Sequence, residues 1–196
     1  MTYKQPVKRG RGRHELIAST LRSIASRGLH ATTLRDIAAG AGLSLGSTTY
    51  HFPDRAALMV GALEEHVTDT ERVIAAADVI SRERRDARTD GGVHSALTAL
   101  LADRDRVLIR HELRLEATRD PEYRDLHVRS RAVVRRIVAS ALRAEGQAVS
   151  DAAVNALATA LEDAAIEAAV DDEDPASFTA AMTTHLDEVF AARIAG

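Results

Sequence analysis

Between Thr33 and His51 two short helix signals meet at one sharp break, and few folds accommodate that pattern. Thr33-Leu34-Arg35-Asp36 has the form of a capping box with aspartate in the glutamate position, a hydroxyl taking a backbone N–H at the helix start while the acid reaches back. Ile37, Ala38 and Ala41 continue that helix on its apolar side, Gly42 stops it, and Ser44 is a ready N-cap for a helix running to about His51. Phe52 and Pro53 end this second helix, and Asp54 caps a longer one carrying Leu58, Leu63 and Val67. Upstream, Leu16, Ile17, Thr20, Leu21 and Ile24 recur at helical spacing. Residues 13–27 therefore form an amphipathic helix, closed by Gly28, which enters the left-handed conformation without a Cβ penalty.

The rest of the chain is helical too. Ala, Leu, Arg and Glu dominate, and no run alternates β-branched residues as a strand would. Helices are expected at about 93–102, 104–118, 121–144, 150–170 and 175–194, separated by breaks at Asp120-Pro121, Gly146 and 171–175. Residues 81–92, charged and ending in Gly-Gly, read as a link. No repeat of solenoid length is present. The fold class is all-α.

Charge is divided along the chain. Residues 1–60 hold nine Lys and Arg against three acids, whereas the remainder holds 17 basic and 26 acidic residues, within a formal net charge of −3. A basic head on an acidic body implies a polyanionic partner for the head alone. The two short helices at its centre fit a helix-turn-helix, in which the second helix enters the DNA major groove. Close approach demands small side chains, and Gly46, Ser47, Thr48 and Thr49 supply them in a helix that is poor by intrinsic propensity. Ahead of this head, Lys8, Arg9, Arg11 and Arg13 alternate with Gly10 and Gly12, which reads as a flexible arm able to follow the backbone or the minor groove.

The stretch from Thr32 to Ala38, then Ala41-Gly42-Leu43-Ser44-Leu45-Gly46-Ser47-Thr48-Thr49-Tyr50-His51-Phe52, Asp54-Arg55 and Leu58 resembles the DNA-binding signature of the tetracycline-repressor (TetR) family. The match is continuous from about Glu15 to Leu58 and departs at Thr48 and Thr49, where the family has an apolar and then an aromatic residue. The resemblance implies that Thr33, Ser44, Tyr50, His51 and Arg55 touch phosphates. Arg35, Leu45, Ser47 and Thr49 are the candidate base readers: Arg grips guanine N7 and O6, and Thr and Leu methyls meet thymine methyls. Gly46 and Thr48 complete the DNA-binding set, and Phe52 is expected in the core against Ile37 and Leu21.

Three segments follow: a basic arm over 1–12, a helix-turn-helix DNA-binding domain over 13–53 and a helical effector-binding and dimerisation domain over 54–196. The resemblance implies a homodimer through the last two helices. Val154, Leu157, Leu161 and Ile166 lie on one of them, and Phe178, Met182, Leu186, Val189 and Phe190 on the other. It also implies a small-molecule effector in the body, for which His66, His94, His111, Glu112 and Glu116 are the polar candidates. Aromatic residues at 3%, with no Trp, argue against a large flat aromatic pocket.

The expected function is a sequence-specific transcriptional regulator, a repressor released from a double-stranded DNA operator by its effector. An architectural DNA-binding dimer without an effector is the alternative. No metalloprotease, nucleophile-elbow or phosphate-loop motif is present, so neither an enzyme nor a cofactor or metal is expected. Without Cys, a secretory leader or an apolar run of membrane-spanning length, a cytoplasmic location is expected.

Overall fold

The computed structural model describes residues 11–83, 91–144, 150–171 and 174–194, with side chains excepted at 74, 76–83, 91–95, 144 and 190–194. The described residues are helical with no strand, and they divide into two units that meet after His66. None of the described helices is long and apolar enough to cross a membrane.

The first unit holds α1 (Arg11–Arg27), α2 (Leu34–Gly40), α3 (Leu45–His51) and the beginning of α4 (Arg55–Glu83). Each start and stop has a local cause. Gly28, at φ +80°, closes α1 with its N–H on the Ile24 carbonyl at 2.9 Å. The Thr33 hydroxyl accepts the Asp36 N–H at 3.2 Å and donates to the Asp36 carboxylate at 2.7 Å, so the aspartate variant of the capping box closes on itself. That bond is the main cause holding the Asp36 carboxyl below its usual pKa; desolvation opposes it, and Arg27 at 3.2 Å adds to the lowering. Gly42, at φ +65°, turns the chain, and Leu43 N–H reaches back to Ala38 at 2.9 Å.

Leu16, Ile24, Ile37, Leu58 and Leu63 are fully buried and form the core of this unit. Phe52 joins them, lying beside Gly61 and under the Arg13 guanidinium, which is 5.2 Å from the ring centre. The α1–α2 contact is closer than ordinary packing. Buried Ser19 donates to the Ile37 carbonyl at 2.9 Å, and a Cβ on Gly40 would stand 2.5 Å from its oxygen. Gly40→Ala is therefore expected to destabilise the protein by about 1–3 kcal/mol through overpacking. Gly46→Ala, whose Cβ meets only Ser44 Oγ at 3.9 Å, should not. Urea unfolding of both variants checks the contrast.

Two boundaries differ from expectation. Arg11 and Gly12, read as arm, belong to α1, and Gly12 is buried under His51, whose Nε2 a Cβ there would meet at 2.8 Å. Residues 1–10, the rest of the arm, lie outside the described residues. At the expected link, α4 continues to Glu83 and the next helix starts at Gly91; 84–90 lie outside the described residues.

The second unit runs from Val67 and contains the remainder of α4 with α5 (Gly91–Leu101), α6 (Arg104–Arg119), α7 (Arg124–Ala144), α8 (Asp151–Asp171) and α9 (Pro175–Ile194). Asp103, Ser150 and Asp174 cap α6, α8 and α9 by accepting the N–H groups of Arg106, Ala153 and Ser177. Pro121 opens a single 3-10 turn, Pro121–Tyr123, ahead of α7, with Asp120 accepting the Glu122 N–H at 3.0 Å. The two ion pairs Arg106–Asp69 (2.8 Å) and Arg129–Glu71 (2.9 Å) tie α4 to α6 and α7, and the Arg129 bond holds the Glu71 carboxyl below its usual pKa.

The core of this unit corrects part of the dimer expectation. Val154, Leu161, Phe178, Met182 and Leu186 are buried inside the monomer, packed with Leu97, Leu101, Val134, Ile137 and Leu142. Leu157, Ile166 and Val189 lie partly buried against the same core, and the Phe190 side chain lies outside the described residues. Burying large apolar groups within one chain removes them from any interface with another.

Candidate functional site

Helix α3 presents two unlike sides, as a turn of about 100° per residue dictates. Leu45, Gly46, Thr49 and Tyr50, one turn apart in pairs, are exposed, with Leu45 at 49% and Tyr50 at 72%. Thr48 faces the other way and is 1% exposed, its hydroxyl donating to the Leu45 carbonyl. Its place among the small contact residues is thus corrected: the side chain is core. The sequence carried a signal for this, since Thr48 stands where the resembled family has an apolar residue.

The remaining candidates divide by what already holds them. Ser44 accepts the Ser47 N–H at 3.2 Å and shares a hydroxyl bond with Ser47 at 3.0 Å, so the two act as one cap at the start of α3. The Thr49 hydroxyl donates to Gly46 at 3.0 Å, leaving its lone pairs and methyl for a partner. Thr33 and Arg35 are exposed at the start of α2. The Tyr50 and His51 rings meet edge to face, with centroids 5.1 Å apart, and His51 sits over Gly12. Beyond that edge contact the Tyr50 ring is exposed, so its hydroxyl and outer face are available to a groove wall.

Arg55 is placed differently from the expectation of a phosphate contact. Its Nε donates to the Thr32 carbonyl at 2.8 Å and its Nη2 to the Leu29 carbonyl, so the guanidinium clamps the α1–α2 connection from the first residue of α4. Both acceptors precede the Thr33 cap, and Arg55 thereby fixes where α2 begins. Sequence spacing brings no warning of this bridge, since Arg55 and Leu29 are 26 positions apart.

In the second unit a small cavity of about 30 Å³ lies between α6, α7 and α8. Its lining includes Val107, Arg110, His111 and Arg114 from α6, His127, Ser130 and Arg131 from α7, and Glu162 and Ile166 from α8. Of the five sequence candidates it receives His111 alone. Glu112, about 100° round the helix from His111, turns away from the lining, and buried Glu116 is the counter-ion of Arg119 at 2.9 Å. His66 is buried in the first unit, and the His94 side chain lies outside the described residues. In sequence the arginines of α6 and α7 have the pattern of a solvated helix face and carry no signal of a cavity. Burial changes the titration here. It lowers the Arg110 pKa to about 10, opposed by Glu162, and it raises that of Glu162, opposed by Arg110.

Comparison with known proteins covers both units. Residues 16–62 match the family model described as bacterial regulatory proteins, tetR family, and residues 84–192 match the tetracyclin repressor-like C-terminal domain. The transcriptional regulator PksA of Bacillus subtilis is 35% identical over 75 residues, which span 37% of this chain and 37% of that protein. A TetR-family member from Streptomyces coelicolor A3 superposes with a TM-score of 0.62 at 28% identity, over 89% of this chain and 97% of that one. The multidrug binding protein EbrR, solved with imidazole, gives 0.55 at 27% identity, over 92% and 96%. With models matched in both units and an all-helical body behind a helix-turn-helix, the chain belongs to the TetR family of DNA-binding transcriptional regulators.

Proposed function

We propose that this regulator is a repressor: a cytoplasmic homodimer that occludes its operator and is released by a small molecule bound in the second unit. The observation that carries the DNA side is the outward row of Leu45, Gly46, Thr49 and Tyr50 on α3, with exposed Thr33 and Arg35 at the start of α2. In this reading Arg35, Leu45, Ser47 and Thr49 read bases, while Thr33, Ser44, Tyr50 and His51 hold phosphates. Gly46 contributes by having no side chain between the helix and the groove.

A head this small supplies part of the affinity a specific operator complex needs, and two copies on a two-fold axis supply the rest. The surface for pairing is the exposed outer side of α8 and α9. Ala153, Ala156 and Ala160 recur there at helical spacing, as do Ala180, Ala181 and Thr184 on α9, and small side chains allow close helix approach. Release by an effector is supported by the likeness to EbrR, a multidrug binding protein solved with imidazole. The cavity between α6, α7 and α8 is the place for the ligand in this chain.

Selection of bound genomic fragments with the purified protein at physiological salt tests the reading. A regulator gives one enriched palindromic site, whereas similar affinity for many sequences supports the architectural dimer. On the selected site, Tyr50→Ala and Arg35→Ala should each weaken binding by about 5- to 150-fold per head, the range of one good contact. The loss is doubled in free energy when both heads of a dimer are engaged. Thr48→Val, buried and away from the DNA, should bind within about threefold of the parent, because a buried side chain of similar volume reaches no phosphate or base. Titration of labelled duplex by anisotropy reads all three.

A further inference from the structure

The cavity between α6, α7 and α8 is lined by three guanidinium groups, those of Arg110, Arg114 and Arg131, against the single carboxylate of Glu162. Neighbours reduce the imbalance without removing it: Asp163 pairs with Arg114 at 3.4 Å from an exposed position, whereas Arg131 has no ion-pair partner among the described residues. Arg110 is 6% exposed; its Nη1 donates to the Leu100 carbonyl at 3.0 Å, but its buried Nε has no hydrogen-bond acceptor. The nearest candidate, Glu162 Oε1, lies 3.8 Å away, too far for a hydrogen bond. A buried charged donor left without an acceptor is unfavourable, and the group that relieves it must be an acceptor.

We propose that this cleft is an anion-binding site, taking a compact carboxylate or phosphate group on Arg110 Nε with Arg114 and Arg131 at its mouth. The proposal deepens the effector reading above, on which it rests, by naming the ligand's chemical class. Size agrees with it. About 30 Å³ exceeds what a single water needs and falls far short of the roughly 300 Å³ at which pockets for drug-sized molecules begin. Charge agrees as well: Arg131 and Arg114 stand close enough to His127 to add to the lowering of its imidazole pKa, which burial mainly causes. Ser130 adds a hydroxyl, and Val107 and Ile166 give an apolar wall for a short alkyl tail. A cationic ligand meets the wrong field here.

The test is calorimetric titration of the full chain, without DNA and at constant ionic strength, with inorganic phosphate, with acetate and butyrate, and with tetramethylammonium. Saturable binding of phosphate or of a carboxylate is expected, with none for the cation; which of the two binds identifies the source of the oxyanion. Arg131→Gln and Arg114→Gln, both at exposed positions that tolerate the change, should each weaken it about tenfold, the loss of one charge-assisted contact. Absence of saturable anion binding, or equal affinity in the Arg114→Gln/Arg131→Gln double variant, overturns the proposal. If fragment selection meanwhile still yields one operator, only the ligand class has failed. Anion binding that leaves operator affinity unchanged supports the site and overturns effector release instead.

Discussion

Replacing Arg55 by methionine is expected to destabilise the first unit by about 2–4 kcal/mol, because two bonds from a charged donor to backbone carbonyls are lost together. The acceptors are Leu29 and Thr32, in the connection that sets the start of α2. Without the clamp, the Thr33 cap loses its fixed position, and with it the placement of α2 against α3. Hydrogen exchange should therefore show α2 and α3 amides opening first while α6–α8 protection holds. Arg55→Lys separates the clamp from a phosphate contact. An ammonium keeps the charge but lacks the planar fork that spans two carbonyls. A positioning role predicts that Arg55→Lys loses most of the stability, and that the slope of log affinity against log salt is unchanged. A phosphate contact predicts full stability for lysine and, for Arg55→Met, a slope shallower by about 0.9 per contact. The second pattern would restore Arg55 to the DNA-contact set and remove it from the clamp.

The case of Arg55 shows where sequence reasoning reached and where it stopped. Caps and breaks are local, so Thr33, Gly42, Ser44 and Asp54 announced the helices of the head within one or two residues of their observed ends. The α3 surface was legible in outline for the same reason. Which of its small residues points inward was not, because Thr48 and Thr49 have one chemistry and only helical phase against the core distinguishes them. Gly12 illustrates the opposite error. A glycine between arginines reads as flexibility, yet its reason here is the His51 ring, contributed from 39 positions along the chain. The cavity was least legible of all. It is assembled from α6, α7 and α8, and its arginines look like any solvated helix face until the third helix covers them.

Arg110 yields the other large effect. Its guanidinium and the Glu162 carboxylate are both withdrawn from water, and each opposes the effect of burial on the other's pKa. Removing Arg110 takes away the main partner of the Glu162 carboxylate, with Arg114 and Arg131 still offsetting part of its charge, so Arg110→Met is expected to cost about 3 kcal/mol at neutral pH, the low end for breaking a buried pair. The double variant Arg110→Met/Glu162→Leu, which removes both charges and keeps the volume, should recover most of that loss. The sign of the pH dependence follows from Glu162. Burial already raises its folded pKa above the usual carboxylate value, and without Arg110 it rises further. An acid whose folded pKa is raised is not destabilising below its unfolded pKa, and becomes so as pH climbs through the folded value. The deficit of Arg110→Met should accordingly be smallest below about pH 4.5 and widen towards neutrality, while the double variant, which has no carboxyl at 162, shows no such widening. Urea midpoints for the three proteins between acid and neutral pH make the comparison. A deficit that does not change with pH, or a double variant no more stable than the single one, means that Arg110 supports the fold through packing and its bond to Leu100 rather than through the charge of Glu162.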